Sequence, residues 1–395
     1  QEPEGVFAFR DHLTFLGDVM PESQKQQGML KLAEGLATRQ ADFCARQGLR
    51  LYGESPHGGS EAICHNAVLE DIALPGQLVA GTDSHTCTAG AMGCFAFGVG
   101  ATDMANAWYT RDIRVTVPAS VRIALHGTLP ATVAAKDVML ALMADPYFKT
   151  GKAIGQVLEF TGPGVEALPL DERATLTNMA VEAGATTGII AADAVTAAYL
   201  AEVRGCDADT VLSGALRSDA EAVYAHHIDL DLSRIEPMVA TPGDPRNGVP
   251  LRQLGDRSSI DVAYGGSCTG GKKTDMDLYA RVLAPAVERG LTVHPGVQFY
   301  IQFGSQKIKR YAERRGYIRL FEQAGATLIN PSCGACIKAG PGVSQRPEQV
   351  TISAINRNFP GRSGPGQVYL ASPQVVAASA LAGRIVTPAE LFGQA

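Results

Sequence analysis

Short apolar runs alternate along this chain with longer stretches of helical periodicity. The runs Gln77–Ala80, Ile113–Leu125, Ser259–Tyr264, Ala326–Ile329 and Val368–Ala371 predict strands. Glu22–Gln47, Ala135–Met143, Ala192–Val203, Leu278–Arg289 and Gln306–Ala324 predict helices. Alternation of this kind predicts an α/β fold with mainly parallel sheets covered by helices on both faces. Ile113, Val115 and Val117 keep a two-residue period up to Pro118, and Val121, Ile123 and Leu125 resume it. That run is therefore expected to bend or to lie at a sheet edge. Prolines at 237, 242, 245 and 250 make Met238–Val249 read as a linker between domains.

Reactive residue types fall where predicted strands end. Leu78-Val79-Ala80 runs into Gly81–Thr86, Ile260–Tyr264 into Gly265–Gly271, and Ala326–Ile329 into Asn330–Cys336. Open α/β sheets bind ligands beyond the carboxyl ends of their strands, so these loops are expected to line one cleft. Cys268, Cys333 and Cys336 offer thiolates in glycine-flanked loops, and no other cysteine has comparable flanks. Thiolates bind soft metals, and three of them on a four-iron cluster leave one iron open as a Lewis acid. A redox pair, an inert turn or a structural zinc site are the alternatives.

Asp11-His12, His65 and Asp83-Ser84-His85 supply histidine–carboxylate neighbours of the kind that tune proton transfer. His57, His126, His226, His227 and His294 read as structural. Arg357 and Arg362, in a loop bounded by Gly and Pro, are a possible bidentate carboxylate clamp. Gly266-x4-Gly271-Lys272-Lys273 narrowly misses a phosphate-binding loop, because Lys273 stands where a magnesium-holding Ser or Thr belongs.

Composition narrows the class. The 395 residues are 46% hydrophobic and 19% charged, which suits two or three well-packed globular domains. A net charge of −6 gives no footprint for nucleic acid. No apolar run reaches membrane-spanning length, so no membrane association is expected. Gln1–Phe15 is charged and has no apolar core, so no secretory leader is expected there. Eight scattered cysteines exclude a disulfide scaffold and point to the reducing cytoplasm.

Taken together, these motifs resemble the aconitase superfamily, and within it the large-subunit branch of 3-isopropylmalate dehydratase and homoaconitase-type hydro-lyases. The resemblance rests on Asp11-His12-Leu13, Cys64-His65 leading to Glu70 and Pro75-Gly76, and Gly81–Thr86 through Gly98-Val99-Gly100. It continues over Leu176–Ala185, Gly266–Thr269, Pro331–Cys336 and Asn356–Arg362. It implies three α/β/α domains around a central cleft, over residues 1–118, 119–237 and 238–395, the last carrying the cysteines. It further implies that Cys268, Cys333 and Cys336 hold a [4Fe-4S] cluster with one open iron site. Asn178 and Asn356 would hydrogen-bond the cluster region. Asp11, His12, His65, Asp83, His85 and Glu182 would form the acid–base network, while Ser84, Arg357 and Arg362 would meet substrate carboxylate or the cluster surroundings.

The implied reaction dehydrates a hydroxy-dicarboxylic or tricarboxylic acid and returns the water at the neighbouring carbon. 3-Isopropylmalate in leucine biosynthesis is the first expectation for the substrate; homoaconitate, dimethylmalate and maleate-type acids remain open. A non-catalytic iron–sulfur regulator that binds RNA is the alternative from another class, and the acidic charge counts against it. Two departures stand out. Gly270 occupies a place where the family carries Asn after Cys-Thr, and a substrate-contacting Gln is expected upstream of Asp11. The swivelling domain that supplies a serine base in single-chain relatives has no counterpart here, so a separate small subunit is expected to complete the active site.

Overall fold

In the computed structural model the described residues are 3–14, 16–20, 22–255, 257 and 259–393. Gln1, Glu2 and Phe15, part of the stretch read as having no leader character, lie outside them. Contacts gather the chain into two compact units, one of residues 1–66 with 256–395 and the other of residues 67–255. Among the described residues no helix is long and apolar enough to cross a membrane.

The first unit is built on parallel strands in the spatial order Gln367–Ala371, Val350–Ser353, Val262–Gly265, Gln298–Gln302, Thr327–Ile329. Val262–Gly265 comes first in sequence yet lies in the middle, and all its residues are buried. Strands covered on both faces read as continuous apolar runs, which is why this one carries no alternation. Strand order reverses between Val262–Gly265 and Val350–Ser353, and such a reversal opens a crevice at the carboxyl ends. The helices Lys273–Glu288, Tyr317–Ala324 and Pro373–Ala382 pack around the sheet. Two expected helices are each broken in two by a glycine in the left-handed region: Glu22–Gln47 at Gly28 (φ +79°) and Gln306–Ala324 at Gly316 (φ +75°). The Met29–Gln47 helix links a parallel pair, Phe7–Phe9 and Arg50–Tyr52.

The second unit holds parallel strands in the order Thr187–Ile190, Val157–Thr161, Ser120–His126, His226–Asp231. The strand expected from Ile113 starts only at Ser120; Pro118, which has no N–H to give, precedes it. Leu78–Gly81 and Phe95–Gly98 form a further parallel pair. The helices Ala135–Met143 and Leu170–Asn178 pack on each other.

The run Met238–Val249, read from its prolines as a linker, is a packed ribbon instead. Met238–Ala240 pairs antiparallel with Gly248–Pro250, its three residues are buried, and the Met238 N–H donates to Asp137 Oδ1 at 2.7 Å. Pro237 and Pro250 bound the ribbon, while Pro242 and Pro245 sit in its turn, all positions where a missing N–H is harmless. Deeper in this unit Arg173 is fully buried and donates two hydrogen bonds of 2.8 Å to Asp193, whose side chain also caps the Ala194–Arg204 helix.

Candidate functional site

In the first unit the sulfur-bearing loops grow from strand ends. Cys268 lies in the single helical turn Ser267–Gly270, directly after Val262–Gly265. Cys333 and Cys336 follow Thr327–Ile329, and Asn356 follows Val350–Ser353. A buried polar column supports the Cys333–Cys336 loop from below. The Ala335 N–H donates to the Tyr264 hydroxyl, which donates to Gln302 Oε1 at 2.6 Å, and Gln302 Nε2 donates to Ser332 Oγ at 2.8 Å. Gly334 crosses this column with φ +55°, and a Cβ there would come within 2.6 Å of the Tyr264 hydroxyl. Only glycine fits such a crossing without moving the loop.

The thiols of Cys268, Cys333 and Cys336 are buried and unbridged. Asn356 stands between two of them: its Nδ2 donates to Cys268 Sγ at 3.5 Å, and its Oδ1 accepts from Cys336 Sγ at 3.4 Å. Arg362 Nη2 lies 3.9 Å from Cys336 Sγ, and its Nε is buried with no hydrogen-bond partner. Arg357 is half-buried in the same loop. Cys333 Sγ donates to Asp11 Oδ2 at 3.4 Å, the oxygen that also accepts the Cys64 N–H at 3.0 Å. Burial pushes the Cys333 thiol well up, and the Asp11 carboxylate and neighbouring thiols add to this.

Asp11 itself is 2% exposed and its other oxygen lies 3.3 Å from His12 Nδ1, on a side chain 43% exposed. Burial would raise its carboxyl, but the His12 hydrogen bond and charge, the Cys64 N–H and the charge of His65 outweigh this and hold it below the usual range. His65 is buried with Nε2 3.5 Å from Cys64 Sγ. Beside Asp11 and His12 opens a cavity of about 320 Å³, lined also by Gly58, Gly59, Asn330 and Ser332. Lys272, the cation of the near-miss phosphate loop, is buried and committed, with Nζ donating to Thr269 O at 2.9 Å and Asp275 Oδ2 at 2.8 Å.

The second unit assembles the other group. Asp83 Oδ1 accepts the His85 N–H at 2.7 Å and lies 3.3 Å from His85 Nδ1. His85 Nε2 faces Glu182 Oε1 at 2.7 Å, with the two side chains only 5% and 2% exposed. Asn178 Nδ2 donates to Thr88 Oγ1 at 2.8 Å, and that hydroxyl donates to His85 O at 2.6 Å, so Asn178 braces the histidine loop. Ser84 is half-buried on the same loop.

Residues 1–383 match the model of the aconitase family (aconitate hydratase). The chain belongs to the aconitase family. This aconitase-family chain is 37% identical over 394 residues to the 3-isopropylmalate dehydratase large subunit of Wolinella succinogenes, covering 98% of this chain and 87% of that one. It is 41% identical over 351 residues to 3-isopropylmalate dehydratase large subunit 2 of Rubrobacter xylanophilus, covering 88% and 78%. It is equally 41% identical, over 353 residues, to the 2,3-dimethylmalate dehydratase large subunit of Eubacterium barkeri, covering 88% and 80%.

Three residues that contact these loops lack a mark in the local sequence. Cys64 lies outside any glycine-flanked loop, although its thiol is close enough to act on that of Cys333. The signal was its neighbour His65. Tyr264 and Gln302 lie within strands, where polar atoms are hidden in apolar runs.

Proposed function

We propose that this chain is the large subunit of a hydro-lyase that takes water from a hydroxy-dicarboxylic or tricarboxylic acid and returns it at the neighbouring carbon, with 3-isopropylmalate as first substrate. The observation that carries the reading is the Asn356 amide, set between the Cys268 and Cys336 thiols where the strand order reverses. The names of the relatives from Wolinella, Rubrobacter and Eubacterium agree in reaction type and in the words "large subunit".

The sulfur geometry fits a [4Fe-4S] cluster held by Cys268, Cys333 and Cys336. Three buried, unbridged thiols, two of them joined through the Asn356 amide, are a soft donor set suited to iron–sulfur ligation. When bound, the cluster supplies through its iron without a protein sulfur a Lewis acid for the leaving hydroxyl and a substrate carboxylate. The chain's own residues do the rest. Asn356 and Arg362 donate toward the sulfurs, and Arg357 and Arg362 offer planar forks for carboxylate. Glu182 fixes the tautomer and orientation of His85, Asp83 holds its backbone, and Asp11 does the same for His12. We assign these five, with His65, to moving the protons that accompany loss and return of water. Ser84 is assigned to the substrate, and Asn178 to bracing the His85 loop.

A small subunit completes the active site in this reading. The domain division 1–118, 119–237 and 238–395 belongs to it too, supported by strands Ser120–Asp231 forming a sheet of their own. So does the cytoplasm as compartment, where exposed iron and thiols stay reduced. A 2,3-dimethylmalate substrate is the second reading, favoured by the Eubacterium barkeri relative. The test is anaerobic loading with iron and sulfide, then assay of 3-isopropylmalate and 2,3-dimethylmalate with and without the small subunit. Turnover of one acid only by the pair supports the proposal. Full activity of the chain alone removes the split site, and no turnover of either acid removes the assignment.

A further inference from the structure

The sulfur set leaves one of its members with a second allegiance. Asp11, His12 and Cys333 each offer a ligand atom, and all three atoms lie within 4.8 Å of one another. Zinc bonds of about 2.0 Å to oxygen, 2.0–2.1 Å to nitrogen and 2.3 Å to sulfur give tetrahedral edges of about 3.3 Å (N to O) and 3.5 Å (S to O). His12 Nδ1 lies 3.3 Å from Asp11 Oδ1 and Cys333 Sγ 3.4 Å from Asp11 Oδ2, so the imidazole and the thiol meet the two oxygens of one carboxylate, and a turn of that carboxylate brings one oxygen to both. The carboxylate is buried and pre-positioned by the Cys64 N–H, whereas the imidazole borders the cavity, through which a cation can enter and a water can take the fourth position. Mixed O, N and S donors with one open position suit zinc or ferrous iron better than calcium or magnesium.

We propose that, when the chain carries no cluster, Asp11, His12 and Cys333 bind a single divalent transition-metal cation. Cys333 loses its thiol proton to solvent as the metal–sulfur bond forms, and the ion is held by one carboxylate, one imidazole and one thiolate. Because Cys333 cannot serve two sites, a bound cation and the three-sulfur set exclude each other. The metal site stands on geometry alone; only this exclusion rests on the cluster assignment.

The probe is cobalt(II), a spectroscopic stand-in for zinc, titrated anaerobically into the full chain without cluster. The deciding variant is Cys268→Ser/Cys336→Ser, which cannot hold the cluster but keeps the proposed ligands. Expected are one thiolate-to-cobalt charge-transfer band, the visible bands of a four-coordinate ion, and an affinity within about threefold of the unsubstituted chain. His12→Ala, at a half-exposed side chain whose loss spares the fold, should weaken binding at least tenfold in the double-variant background, and Cys333→Ser should abolish the charge-transfer band. No cobalt binding in the double variant, binding without the sulfur band, or an affinity unmoved by His12→Ala would each overturn the proposal. None of these readouts involves iron, sulfide or turnover, so a failure here is distinct from failure to load a cluster.

Discussion

Replacing Gly334 by alanine strikes at the loop that presents Cys333 and Cys336, and its cost can be worked from the geometry. The backbone there has φ +55°, and an L-residue in the left-handed region costs about 1–2 kcal/mol. The new Cβ would also sit 2.6 Å from the Tyr264 hydroxyl and 2.8 Å from Gln302 Nε2, so the loop must lift. Lifting breaks the Ala335–Tyr264 hydrogen bond and strains the Gln302–Ser332 bond, each contributing about 0.5–1.5 kcal/mol. The total is about 2–5 kcal/mol, or roughly 30- to 4000-fold in the population of the native loop. Gly205→Ala is the control: φ is +69° and nothing lies within 4 Å of its Cβ, so it carries the backbone strain alone. The measurement is iron and sulfide bound per chain after anaerobic loading, read beside thermal unfolding. Gly334→Ala should load at most a small fraction of the unsubstituted amount, and Gly205→Ala should load normally despite a comparable backbone penalty. Normal loading by Gly334→Ala would show that the Tyr264 column does not set the loop.

Glu182→Gln keeps the shape of the His85 partner and removes its charge; in the loaded two-subunit enzyme kcat should fall by about 10²–10⁴ with little change in melting, and a fall under about threefold would dismiss the pair from proton transfer. Asp193→Ala leaves the buried Arg173 guanidinium unpaired and should cost about 3–5 kcal/mol in urea unfolding. Burial raises the Asp193 carboxyl but the Arg173 hydrogen bonds and charge overcome it, so its folded pKa lies below 3.8. The stabilisation is therefore complete above that value and drains away as pH falls beneath it, and the gap between wild type and Asp193→Asn should narrow on acidification. A gap independent of pH between 6 and about 3 would refute that account. Asn356→Ala removes the donor to Cys268 Sγ; hydrogen bonds to sulfur raise cluster potentials, so redox titration should show a more negative midpoint, and an unchanged one would count against the contact.

The sulfur positions were legible because each thiol follows a strand and is bracketed by residues small enough for tight turns, a constraint that local sequence carries openly. Asp11 and His12 were legible as a pair, but the reach of Asp11 to Cys333 was not, since it spans 322 residues. His85 meets Glu182 across 97 residues, and Glu182 sits in the turn after the Leu170–Asn178 helix, where nothing local marks its chemistry. Only the family resemblance singled it out. The prolines of Met238–Val249 misled for a different reason: proline reports a missing donor, and an edge ribbon satisfies that as well as a loop does. Gly28 and Gly316 lie inside long helical periods and do not show as breaks, because the apolar spacing on either side continues as if the helix were unbroken. Cys64 shows the limit of judging a thiol by its flanks, when its role depends on which backbone N–H reaches Asp11.

The bond between Asp11 and Cys333 also sets a timetable for biosynthesis. At about 5–20 residues per second, a ribosome emits the second partner roughly 16–64 s after the first. Meanwhile the whole of 67–255, a unit with its own core, has left the exit tunnel and is free to fold. The opening segment must wait, tethered to that nascent unit, until the closing third of the polypeptide arrives. The Asp11 carboxylate therefore gains its Cys333 partner only after the whole of 67–255 has been made.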